Sequence, residues 1–183
     1  MNHVVTAALV LLAAACSSDP APILLDGSVS DGNKACLIPS DYGALGAKTG
    51  TADLNTPNSL TIVLDPGPPK DDFFVKLVAG KGGFAAGALK TGTFQITGAD
   101  ADFNNCGLCV NVIADIVAGQ GPTKFYFPDA GTVTLTSATA TGATASQIAG
   151  SAQNLHFVEI DLGTGLAVPG GCSATVASIS FGS

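Results

Sequence analysis

Few side chains in this sequence could do chemistry. Apart from His3, near the start, its one histidine is His156, in an alternating apolar stretch from Leu155 to Leu162 and in phase with Val158 and Ile160. Histidine is the commonest general acid–base group, but a lone one on such a stretch reads as a residue of a strand edge or core margin. No G-x-S-x-G elbow and no H-E-x-x-H pair accompanies it. Neither a serine-hydrolase nor a zinc-protease site is therefore encoded in its usual local form.

Cys106-Gly107-Leu108-Cys109 has the C-x-x-C spacing of thiol–disulfide oxidoreductases. In the thioredoxin group that motif opens a helix, whose N-terminal dipole lowers the thiol pKa. Here Val110-Asn111-Val112-Ile113 follows, a β-branched run that favours a strand, so a structural disulfide is expected. Without Cys16, four cysteines allow three connectivities, and the first choice among them joins Cys106 to Cys109 and Cys36 to Cys172. A zinc site using all four is the weaker reading in an oxidising compartment.

The loop Asp100-Ala101-Asp102-Phe103-Asn104-Asn105 sets oxygen-bearing side chains at relative positions 1, 3 and 5. Calcium favours that spacing, because alternate residues of a curled loop point at one centre. An EF-hand would continue with Gly and then Glu where Asn105 and Asn111 stand. Asp100, Asp102 and Asn104 are thus candidate calcium ligands beside the plainer reading of an Asx-rich turn, and Asp65, Asp71 and Asp72 form a weaker second set. Gly43 to Thr49 carries a Lys-Thr pair without the Gly that a P-loop places before its Lys. Gly163-Thr164-Gly165 and Gly170-Gly171 read as turns.

The elements that must position these residues are strands. Leu60, Ile62 and Leu64 alternate with Thr61 and Val63, and Phe73, Val75 and Leu77 with Phe74 and Lys76. Val110, Val112, Ala114 and Ile116 repeat the pattern, as do Val133 and Leu135, and Ile179 and Phe181 close the chain. Phe94 and Ile96 are read as inward. Val158, Ile160 and Leu162 oppose Glu159 and Asp161, while Leu155 and Phe157 hold the other phase, which predicts a bulge near Phe157. Ala138 to Ser146 is read as a flexible hairpin tip within a run of Ala, Thr, Gly and Ser. No segment sustains helical periodicity, and Gly or Pro separates the runs. The expectation is an all-β protein: an antiparallel β-sandwich (jelly-roll/Ig-like class) of about eight or nine strands.

The 183 residues carry a net charge of −7, only 11% charged and 46% hydrophobic residues, and a mean hydropathy of +0.43. There is no arginine and the lysines are scattered, which argues against nucleic-acid binding. The hydrophobicity is too high for a disordered acidic chain. Val4 to Ala15 is an apolar run too short to span a bilayer and fits a secretory signal. It ends Ala13-Ala14-Ala15-Cys16, which resembles a lipobox whose cysteine becomes lipidated; the three alanines also fit an A-x-A cleavage site. Lipidation of Cys16 leaves four of the five cysteines, an even number. The predicted organisation is a signal peptide over 1–15, a tether over 16–33 and a β-sandwich over 34–183.

Asp72-Phe73-Phe74-Val75-Lys76-Leu77, Asn105-Cys106-Gly107-Leu108-Cys109-Val110, and Val158-Glu159-Ile160 leading to Val168-Pro169-Gly170-Gly171-Cys172 form a further pattern with the lipobox-like start. Together they resemble uncharacterised β-rich lipoproteins of myxobacteria. That resemblance implies an envelope location and a β fold, and nothing about catalysis. The expected function is a monomeric, lipid-anchored protein of a bacterial outer membrane, structural or binding a protein or glycan, without catalysis. The alternatives are an exported enzyme, either an Asp-based hydrolase or a redox protein using Cys106 and Cys109, and a calcium-dependent adhesin.

Overall fold

In a computed structural model of the chain the described residues form ten strands. They are β1 (Ser28–Val29), β2 (Gly43–Asp53), β3 (Ser59–Leu64), β4 (Asp72–Val78), β5 (Gly92–Gln95), β6 (Leu108–Ala114), β7 (Lys124–Thr141), β8 (Ala145–Asp161), β9 (Leu166–Ala167) and β10 (Ser173–Gly182). Two single 3-10 turns lie at Gly82–Phe84 and Gly98–Ala101. The structure describes residues 28–29, 38–55, 58–65, 71–114, 116, 122–142 and 144–182. The signal segment, Cys16 and Cys36 lie outside the described residues, as does most of the tether. Ser28 and Val29, within the stretch read as tether, pair with Ala174 and Ser173 of β10.

The hydrogen-bonded order is β1-β10-β2-β3-β4-β6-β7-β8-β9, with β5 on β7 and a further pairing of β8 with β10. We divide it into a layer of β2, β3, β4 and β6 and a layer of β7, β8 and β10. The layers are joined by three residue pairs at β6–β7 and four at β10–β2. The result is an all-β, sandwich-like single domain of mixed sheet. Successive strands are neighbours, so its wiring is largely a meander rather than a Greek key. The β10–β2 pairing is parallel and the others antiparallel. Parity requires this: an odd number of alternating strands cannot return on itself without one parallel junction.

The core follows the predicted alternation. Leu60, Ile62 and Leu64, then Phe73, Val75 and Leu77, then Val110, Val112 and Ala114 are all buried. An edge-on aromatic chain crosses between layers, Tyr42 to Phe73 at 5.8 Å and Phe73 to Phe157 at 6.3 Å.

Three details depart from the sequence reading. In β8, Leu155 and Phe157 face the main core, Val158 is half-buried, and Leu162 is exposed beyond the strand's end. The switch of face falls at Asn154, whose φ of +51° is left-handed, opposite Gly131 at φ +132°. The β7–β8 register shifts on both sides of Ala130: the shift between Pro128 and Ala130 lies opposite Phe157 and His156, where the bulge was expected, and the second, between Ala130 and Thr132, lies at Asn154. A Cβ at Gly131 would come 2.7 Å from Leu155. The stretch read as a flexible tip is mostly strand, since β7 runs to Thr141 and β8 begins at Ala145. Its small residues let the ribbon lie on the other layer: Ser146 is buried and its hydroxyl donates to the Thr61 carbonyl, and the Ala52 N–H donates to the Thr144 carbonyl. Phe94 is only half-buried, while Ile96 is fully buried.

Burial pushes the Tyr42 phenol well above its ordinary value of 10.0, and the nearby Asp71 carboxylate and Tyr126 add to the rise. A pKa raised on folding gives stability that is present below the unfolded value and lost as pH climbs past it, because only the unfolded phenol then ionises. Urea unfolding across the alkaline range should show a stability loss of about 1.4 kcal/mol per pH unit above that value from this group. Tyr42→Phe should remove that part of the slope; an unchanged slope would contradict the assignment.

Candidate functional site

The loop between β5 and β6 is organised by one buried carboxylate. The 3-10 turn Gly98–Ala101 presents Asp100, whose Oδ1 accepts the N–H groups of Gly107 at 2.8 Å and Leu108 at 3.0 Å. Its Oδ2 accepts the N–H of Gly83 at 2.7 Å. Glycine is required around it: a Cβ on Gly82 would collide with the Asp100 carboxylate, and one on Gly107 with the Lys81 carbonyl.

The other two candidate calcium ligands face elsewhere. Asp102 accepts the Asn105 side-chain amide at 2.6 Å and the Asn104 N–H at 2.9 Å, and these two bonds, in that order, hold its carboxyl below the usual range. The Asn104 side chain donates to the Thr164 carbonyl, and the Asn104 carbonyl accepts from the Lys81 ammonium. In the second acidic set Lys48 pairs with Asp72 at 3.4 Å and Asp65 at 4.0 Å, while Asp71 is buried. Among the described residues, no group of three His, Cys, Asp or Glu side chains stands close enough to hold a metal ion.

Cys106 and Cys109 are joined in a disulfide. Cys106 is buried and Cys109 lies in β6, so the motif opens a strand rather than a helix. Cys172 is also disulfide-bonded, while Cys36, its predicted partner, lies outside the described residues.

The disulfide packs into a second, smaller apolar cluster. Cys106, Phe127 and Ile160 are its buried members, with Phe103, Phe125 and Val158 against them. Above this cluster opens a pocket of about 330 Å³ between the Ala101–Phe103 loop, the Phe127–Asp129 stretch of β7, the end of β8 and the β9 hairpin. Phe103 stands edge-on to Phe127 at 5.6 Å. Leu166, at 66% the most exposed of the large apolar residues described, forms the outer wall. The hairpin that carries it is held by Asp161, which accepts the Thr164 N–H and hydroxyl. Gly165, at φ +72°, lies so close to the Asn104 side chain that a Cβ there would collide with it.

Two carboxylates, Asp102 and Asp129, line the same pocket. The Nδ1 of His156 lies 2.6 Å from Asp129 Oδ1, with both side chains partly exposed. Sequence reasoning placed His156 at a core margin and missed Asp129, since the contact spans a bulged register. A second recess of about 440 Å³ beside Gly82, Gly83, Phe94 and Asp100 is shallow and open. Its acid is already taken by three backbone donors.

Comparison with protein-family models, curated proteins and solved structures gives no match.

Asp100→Asn keeps the shape but sets an amide N–H₂ among backbone donors. Hydrogen bonds to a buried charge contribute about 1.5–3 kcal/mol each, and leaving donors unsatisfied adds to the loss. Urea denaturation should show this variant destabilised by about 3 kcal/mol or more; a change below about 0.5 kcal/mol would mean that the clamp holds nothing.

Proposed function

We propose that this chain is an exported, lipid-anchored protein of a bacterial cell envelope, and that it binds a ligand without transforming it. The apolar run Val4 to Ala15, the small residues before Cys16 and the even set of four remaining cysteines support export and anchoring. The observation that carries the binding role is Leu166, two-thirds exposed over an apolar pocket whose floor is buried and disulfide-braced. Covering that side chain would contribute about 1–2 kcal/mol, and the pocket's size lies at the small end of the range for ligand sites, about 300–1,000 Å³.

The surroundings of the pocket favour binding over chemistry. Among the described residues, the one hydrogen-bond partner of the His156 ring is the Asp129 carboxylate, whereas nucleophilic catalysis would set a hydroxyl or thiol beside it. The disulfide favours bracing over redox turnover, since Cys106 is 4% exposed and the motif leads into a strand.

Two measurements test this reading together. Mass spectrometry of protein recovered from its native membrane should find a mature chain beginning at an acylated Cys16. A thermal-shift screen of small molecules should find stabilising compounds whose effect is weakened in Leu166→Ala, a change at an exposed side chain that adds no charge to the pocket. An unprocessed N-terminus would overturn the export reading, and turnover of esters, glycosides or peptides would overturn the non-catalytic one.

A further inference from the structure

We infer that the pocket between Phe103 and Leu166 takes a small amphipathic cation, a single apolar ring or short branched chain that ends in an ammonium group. The inference rests on the binding reading above and specifies its ligand class. The first ground is shape. A space of about 330 Å³, closed below by Phe127 and Ile160 and walled by Phe103 and Leu166, suits one ring-sized body rather than an extended polymer.

The second ground is the distribution of charge. The pocket's charged lining residues are Asp102 and Asp129, and no lysine lines it. Asp102 accepts two donors from its own turn, which keeps it anionic. Asp129 uses Oδ1 toward His156, and among the described residues no hydrogen bond occupies its Oδ2. A ligand whose apolar part fills the floor would place its polar end at these two carboxylates. An ammonium there gains charge-assisted hydrogen bonds, whereas a carboxylate there meets like charge. Phe103 and Phe127 in the lining are aromatic, a residue type that cations favour. The chain's net charge of −7 also draws cations and repels anions at a distance.

The third ground is pre-organisation. The pocket's walls belong to separate elements already fixed to one another: Asn104 to the β9 hairpin through Thr164, and the 98–108 loop to β6 through Asp100. A ligand entering it orders little that is not already ordered, so a small molecule can bind detectably.

The test compares three probes of one shape by calorimetry on the full-length protein at neutral pH and low salt: 2-phenylethylamine, 2-phenylethanol and 3-phenylpropionate. The amine is expected to bind about tenfold tighter than the acid, with the alcohol between. Leu166→Ala should weaken the amine and the alcohol alike, and Asp129→Asn should weaken the amine about fivefold while leaving the alcohol unchanged. Should Asp129→Asn fail to fold, salt gives the same information: amine affinity falls as ionic strength rises and alcohol affinity does not. Alcohol or acid binding as tightly as the amine, with loss in Leu166→Ala, would overturn the cation class and leave the binding reading standing. No binding by any of the three would overturn both.

Discussion

The pocket end of this molecule depends on a carboxylate that has left water. A buried, ionised Asp is costly unless hydrogen bonds replace its hydration. Asp100 meets that requirement with three backbone N–H groups drawn from two separate segments, Gly83 after β4 and Gly107 and Leu108 at the start of β6. Satisfying one side chain therefore fixes three stretches of chain. Phe103 and Cys106 lie on the loop so fixed, and the disulfide to Cys109 closes it onto β6. The glycines at 82 and 107 are part of the same device, because a side chain at either would occupy the space that the backbone needs to wrap the acid.

A second constraint is the bulge in the β7–β8 ribbon. A regular ribbon would turn one apolar face to the core and leave the other in water. The left-handed Asn154 opposite Gly131 instead reassigns faces along β8, so Leu155 and Phe157 fill the main core while Ile160 helps floor the pocket beyond. The same irregular stretch brings His156 and Asp129 together at the surface. The two apolar phases of β8 thus serve two different cores, and the pocket sits on the smaller one.

Much of the fold was legible because period-two alternation is a direct record of burial. Leu60, Ile62 and Leu64 could face inward only as a strand, and they do. The β-branched run after Cys109 likewise pointed to a strand-borne disulfide. What was not legible depends on register. The double phase of β8 signalled a bulge near Phe157, and one register shift lies there; the second irregularity, at Asn154, follows from how β7 pairs, which no local pattern encodes. The Ala/Thr/Ser run looked like a loop because its side chains are small; they are small because the ribbon lies against β2 and β3 at Gly50 and Ser146. Asp100, Asp102 and Asn104 were spaced as metal ligands, yet each oxygen is directed by a different neighbour, and spacing alone cannot report that. The pocket itself draws on four stretches of chain, so only Leu166, an apolar residue in a Gly-rich turn, could have marked it.

The proposed binding rests on this pocket rather than on another exposed apolar side chain among the described residues. The most direct test is methyl NMR of the Leu, Ile and Val side chains during titration with 2-phenylethylamine. The predicted result is a saturable shift confined to Leu166, Ile160 and Val158, with Leu54, also more than half exposed and just past the end of β2, unmoved. Shifts that centre on Leu54, or spread without saturating over the whole surface, would contradict it.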